Sequence, residues 1–192
     1  MLNLCGVDET MHVKKHTPST LLIALAAVVL QGCIVVGTTE HRIRLNEDGS
    51  GEALLRLIDI RSDAVTDSLV RHDFNLMMAA AESAGVKEFE RTGRKVSNKQ
   101  FWVKGDTLLC EISYTFQNIA AIEGLRRTGD GLYLVVGEGR EIVRTNGKAE
   151  TWQRAEQRIV WDGDAKRLMY VIRDKALPPS RSLAALYTKS YR

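Results

Sequence analysis

Apolar residues are distributed in two ways along this chain. Leu21 to Leu30 is one uninterrupted run of ten, and beyond it alternation dominates. Thr38 to Leu45 alternates and predicts a strand. Asn46-Glu47-Asp48-Gly49-Ser50-Gly51 predicts a turn, because Gly49 and Gly51 can supply positive φ. Glu52 to Ile60 is the returning strand. Leu54, Ile58 and Ile60 share one face with Arg56, while Ala53, Leu55 and Leu57 share the other, so this strand is expected to be central. The period then changes to that of a helix, Ala64 to Ala84. Ser62 or Asp63 is its expected cap and Gly85 its expected stop. Val70, Phe74, Met77, Ala81 and Ala84 form the stripe, widened by Leu69, Leu76 and Ala80, and Ser68, Arg71, His72, Asn75 and Glu82 lie opposite. Met77-Met78 reads as core packing.

The remainder predicts mostly strands: Val86 to Lys95, then Phe101-Trp102-Val103, a Gly105-Asp106 turn, and Thr107 to Phe116. In the last of these Leu108, Cys110, Ile112, Tyr114 and Phe116 share a face, the clearest period of two in the chain. Asn118 can cap a short helix, Ile119 to Leu125. Leu132 to Val136, Glu141 to Thr145 and Gln157 to Trp161 read as strands. Asp162-Gly163-Asp164 reads as a hairpin turn into Arg167 to Ile172. Pro178-Pro179 ends regular structure and Ser182 caps a last helical turn. The expected fold class is α+β: an antiparallel sheet with one long helix packed on a face, in a single domain after an N-terminal signal.

Composition agrees. Of 192 residues 44% are hydrophobic and 27% charged, with a net charge of only +3, which excludes disorder as the main state. Fifteen Gly, three Pro and three Cys exclude collagen-like and disulfide-dense classes. The run of ten falls short of the roughly 18 residues of a spanning helix.

That run has the flanks of an export signal. Lys14 and Lys15 precede it, and Leu30-Gln31-Gly32-Cys33 follows. This segment resembles the signal peptide and lipobox of bacterial lipoprotein precursors, with Gln31 where Ala, Ser or Thr is commoner. The resemblance implies cleavage between Gly32 and Cys33, a diacylglyceryl thioether on Cys33, and palmitate-type acyl chains anchoring the product to a membrane. Residues 1–32 are then the signal and residues 33–192 the mature envelope domain. Asp8 and Glu9 are unusual so early in a signal, so translation from Met11 is expected, which would leave Cys5 outside the protein. Ile34 follows the lipidated position. By the sorting rule of enteric diderm lipoproteins, this resemblance implies the outer membrane in a diderm organism. The body, from Cys33 to about Leu125, resembles the mycobacterial LppM-like envelope lipoproteins: a strand ending in Asp48-Gly49-Ser50-Gly51, a second strand, a helix, and Tyr114-Thr115-Phe116 leading into Asn118-Ile119. It departs from them in lacking a C-terminal apolar span within these residues. That resemblance implies an envelope module that contacts lipid.

Charge is uneven. From Cys33 to Asn118 there are 11 basic and 13 acidic residues; from Ile119 to Arg192 there are 14 and 9. Lys166, Arg167, Arg173, Lys175, Arg181, Lys189 and Arg192 face only Asp174 in the last stretch and are candidate contacts to an anionic surface. With an export signal in front, nucleic acid is not the expected target; anionic lipid or an envelope protein is.

Motifs of catalysis are sparse. Cys110, on the apolar face of a strand, reads as a buried small hydrophobe. His41 and His72 are the only histidines after the signal, and no His-Glu-x-x-His, Cys-x-x-Cys, Gly-x-Ser-x-Gly or P-loop pattern occurs. Asp48, Asp59, Asp63, Asp162 and Asp164 lack the setting of acid–base groups. No metal, no cofactor and no enzymatic role are expected. The favoured function is a membrane-anchored, non-catalytic binding or assembly module. A carrier of a lipid or other apolar ligand is the alternative, and a carboxylate-dependent envelope hydrolase is a weaker third.

Overall fold

The computed structural model describes residues 34–129, 131–151 and 156–191. The expected cleavage and lipidation positions, Gly32 and Cys33, lie outside the described residues, as does Arg192.

Strands β1 (Ile34–Leu45) and β2 (Gly51–Ser62) form the expected hairpin, longer at its open end than alternation suggested. Its turn is closed by Asn46 N–H to the Ser50 carbonyl (2.9 Å), and Ser50 N–H and Oγ both donate to Asp48 Oδ1. Gly49 takes φ +82°, but Gly51 does not take positive φ. It is required for a different reason: a Cβ there would lie 2.1 Å from the Arg44 carbonyl oxygen and 2.6 Å from Phe116.

β2 is central, between β1 and β4 (Thr107–Phe116). Its two faces are not the ones alternation assigns. Ala53 and Leu55 are buried, then Asp59 adopts φ +62°, and beyond it Ile60 and Ser62 are buried. The kink reverses parity, so Ile60 joins the core and leaves the face of Leu54, Arg56 and Ile58.

The helix also differs from expectation. Thr66, not Ser62 or Asp63, caps α1 (Asp67–Ala79) by accepting from Leu69 N–H. After Ala79 the helix passes through one π turn, Ala80–Ala84, and continues as α2 (Gly85–Arg91). Gly85 therefore does not end it, and Val86 to Arg91 is helical rather than strand. The reason is tertiary: Phe89 of α2 is buried, edge-on to the Tyr114 ring at 5.5 Å. Gly93, at φ +80°, ends the helix instead. Val70, Phe74 and Met77 are buried as expected, but Leu76 is 56% exposed. Asp73 is buried in its place, accepting a 2.5 Å hydrogen bond from Ser62 Oγ.

β3 (Arg94–Lys104) follows as one strand with a bulge between Val96 and Asn98. Asn118 caps a single 3-10 turn, Ile119–Ala121, and Leu125 already begins β5 (Leu125–Thr128). Then come β6 (Gly131–Val136), β7 (Arg140–Thr145), β8 (Lys148–Thr151), β9 (Gln157–Asp162), β10 (Arg167–Asp174), β11 (Arg181–Ser182) and α3 (Ala184–Tyr191), the last with Ala184 N–H donating to Ser182 Oγ.

Every pairing is antiparallel, in a single domain of mostly β structure with a few helices. The strands make two sheets instead of the one expected: a seven-stranded sheet in the order β3-β4-β2-β1-β10-β7, with β11 against β2, and a four-stranded sheet β5-β6-β9-β8. Asp162-Gly163-Asp164 is consequently not a hairpin. It carries the chain from β9 in the small sheet to β10 in the large one.

The small sheet and the helices pack on the same face of the large sheet. At one end Ile43, Leu55, Tyr114 and Phe116 meet Leu132, Leu134, Ile159 and Trp161 of the small sheet. At the other end Ile60, Leu108 and Cys110 meet Phe74 and Met77 of α1 and Leu183 and Ala184 at the start of α3.

Candidate functional site

The groups with the strongest intrinsic chemistry are sequestered. His41, 5% exposed, projects from β1 into the core between two tyrosines. Its Nδ1 lies 2.7 Å from Tyr170 Oη and its Nε2 2.7 Å from Tyr114 Oη. A neutral imidazole satisfies this arrangement, one ring nitrogen donating and the other accepting. Burial, reinforced by the nearby Arg94 charge, lowers the His41 pKa to about 3. Burial likewise pushes Tyr114 up to about 12 and raises Tyr170. The Cys110 thiol is pushed up to about 12, chiefly by burial. These are properties of locked core groups, not of a poised acid, base or nucleophile. Among the described residues no three His, Cys, Asp or Glu side chains gather as metal ligands.

Two concave features remain. The first is an apolar cavity of about 120 Å³, partly open to solvent, between the helices and the inner face of the large sheet. Met77, Ala80 and Ala81 line it from the helical side, and Cys110 and Ile112 from β4, with Ile34 and Val36 at the start of β1. Among the described residues Lys99 is the only charged one in its lining.

The second is a groove of about 580 Å³ on the opposite, outer face of the same sheet. Neither the helices nor the small sheet packs there. The register of β1, β2, β4 and β10 sets Arg44 between Arg167 and Glu52, and Arg42 between Met169 and Leu54. Ser113 and Thr115 of β4, Ser97 at the β3 bulge and Asn146 complete the polar lining. Glu52 is the one acid in that lining, 3.4 Å from Arg44. Alongside the groove a charge ladder crosses three strands. Arg42 donates to Glu40 (2.7 Å), and Arg56 donates to Glu40 (3.3 Å) and twice to Glu111 (2.6 and 3.1 Å).

The basic residues marked out by charge counting are scattered. Lys166 precedes β10 and Arg167 begins it, beside the β1–β2 turn. Arg173 stands near the other end of β10, about 20 Å away at ~3.3 Å per residue, and is ion-paired to Glu141. Lys175 follows it, its N–H bonded to the Gly139 carbonyl. Arg181, on β11, is held by Asp67 and the Val65 carbonyl, and Lys189 is on α3. Of these only Arg167 enters the groove. Arg42 and Arg44 were missed. Their signal was present, two arginines on alternate positions of a strand, but only the pairing of β1 with the distant β10 sets Arg44 opposite Arg167.

Comparison of the chain with protein-family profiles, with curated proteins and with solved structures found no match.

Proposed function

We propose that the protein is a membrane-anchored bacterial envelope lipoprotein, tethered through lipid on Cys33, whose domain is a non-catalytic module holding an anionic envelope component in the outer-face groove. The observation that carries this is the Arg44–Arg167 pair. Like charges directly opposite on neighbouring strands destabilise a sheet; Arg44 is balanced only by Glu52 at 3.4 Å and Arg42 by Glu40, while Arg167 adds a further positive charge to the same lining. Such an arrangement gains from an anion. Sequestration of His41 and Cys110 supports a binding role over a catalytic one. The apolar cavity supports the carrier reading more weakly. At about 120 Å³ it lies below the ~300 Å³ of ordinary ligand pockets.

Two experiments test this. Cys33→Ala should leave the precursor uncleaved and unlipidated; normal processing of that variant refutes the anchor. For the groove, vesicles containing anionic lipid should bind the unlipidated form, Ile34 to Arg192, at low salt and release it as salt rises, with neutral vesicles binding less. Replacing Arg42, Arg44 and Arg167 by Gln should abolish that preference. Replacing Arg181, Lys189 and Arg192 should reduce it less, because Arg181 is already paired with Asp67. Equal binding to neutral and anionic vesicles refutes the groove's role.

A further inference from the structure

One charged side chain interrupts the apolar lining of the inner cavity. Lys99 is half-buried on its wall, opposite Ile112 of β4, and among the described residues no side chain makes an ion pair or hydrogen bond with its ammonium. The β3 bulge is responsible. Val96 faces the cavity, Ser97 is the extra residue, and Lys99 and Phe101 then take the cavity side. A negative group brought beside a lone ammonium at the rim of an apolar wall is favoured. Around it the lining is aliphatic, aromatic or thiol. The π turn Ala80–Ala84 places small Ala80 and Ala81 over this space, so the helix stands off the sheet without filling it.

We infer that the cavity is a binding site for a single-chain carboxylate amphiphile, its head on the Lys99 ammonium and its tail against Met77, Ala81 and Cys110. Size selects one chain. At about 120 Å³ the space is a little smaller than the ~150 Å³ cavity that accepts one benzene ring, so a two-chain lipid does not enter. Charge selects the head, since Lys99 is the only charge on the wall among the described residues. The cavity takes only part of a long tail. Affinity should therefore rise about fourfold per methylene while it fills, then level off. This site and the outer-face groove have no lining residue in common, so either can fail without the other.

The test uses the full-length chain with ¹³C-methyl methionine, titrated with octanoate and, as the neutral control, octanol. Met77 lines the cavity, while Met169 lines the outer groove and serves as the internal reference. The expected result is a shift of the Met77 methyl signal with Met169 unmoved, and octanoate binding about tenfold more tightly than octanol. Lys99→Gln should bring octanoate down to the octanol level. Ala81→Leu, which fills the cavity, should remove binding of both while leaving the Met169 signal in place. If Ala81→Leu fails to fold, the octanoate-to-octanol ratio in Lys99→Gln decides alone. An unmoved Met77 signal, equal affinities in the parent chain, or an unchanged ratio in Lys99→Gln overturns the site.

Discussion

Gly49 and Gly51 sit two residues apart and are glycine for unrelated reasons. Gly49 needs a left-handed backbone in open space, so Gly49→Ala should cost about 1 kcal/mol. Gly51 needs room. A methyl there meets the Arg44 carbonyl oxygen and the Phe116 ring where β2 enters between β1 and β4, and neither backbone nor core ring can move freely. Gly51→Ala should cost about 3 kcal/mol. Denaturant unfolding of the two variants checks the order, and an equal loss would contradict it. His41 gives a pH prediction. Its pKa falls to about 3 in the folded state, against about 6.5 when unfolded. The unfolded chain therefore binds the extra proton first as pH falls. The stabilisation is complete above about pH 6.5 and is lost progressively down to about pH 3, on the order of 3 kcal/mol by pH 4. His41→Gln should be less stable at pH 7 but flatter between pH 7 and 4. Parallel unfolding curves for the two proteins across that range would contradict the assignment.

Between elements, Asn146 is the joint. It lies in the two-residue link from β7 in the large sheet to β8 in the small one. Its Oδ1 accepts from Trp161 Nε1 (2.9 Å) on β9 and from Met169 N–H (2.7 Å) on β10, while its Nδ2 donates to the Arg167 carbonyl (2.9 Å). One side chain thus ties the second sheet to the first and fixes Arg167 at the groove. Asn146→Ala should lose about 1–3 kcal/mol and, if the groove reading holds, weaken anionic-vesicle binding although no charge is removed. Thermal unfolding and vesicle flotation on the same variant check both; unchanged stability would contradict the joint. Element identity was largely legible where one face alone is buried. Thr107 to Phe116 is the strand its alternation predicts, because its inner face meets core along its whole length. Legibility failed where a contact from elsewhere overrode the local pattern: Val86 to Arg91 is helical because Phe89 packs on Tyr114, and β2 changes face at Asp59.

In the whole molecule the two sheets share one core. Leu132, Leu134 and Ile159 of the small sheet are buried against Ile43, Tyr114 and Phe116 of the large one, so neither can be stable with its inner face in water. Unfolding should be a single transition, with Trp161 in the small sheet and Trp102 in the large one reporting the same midpoint. Two separated midpoints in single-tryptophan variants would contradict the shared core. What the sequence determined by itself was local: the β1–β2 hairpin, the buried stripe of α1, the β4 alternation, the caps at Asn118 and Ser182, and the lipobox-like run to Cys33. Each depends on neighbours within a few residues, where backbone geometry and period act directly. Only the tertiary structure decided the split into two sheets, the course of the chain through Asp162-Gly163-Asp164, and the placing of Arg44 against Arg167 and of Lys99 on an apolar wall. Strand pairing is a contact between segments more than a hundred residues apart, as in β1 with β10. A one-residue bulge or kink transfers every later side chain to the other face, and neither leaves a periodic trace in the sequence.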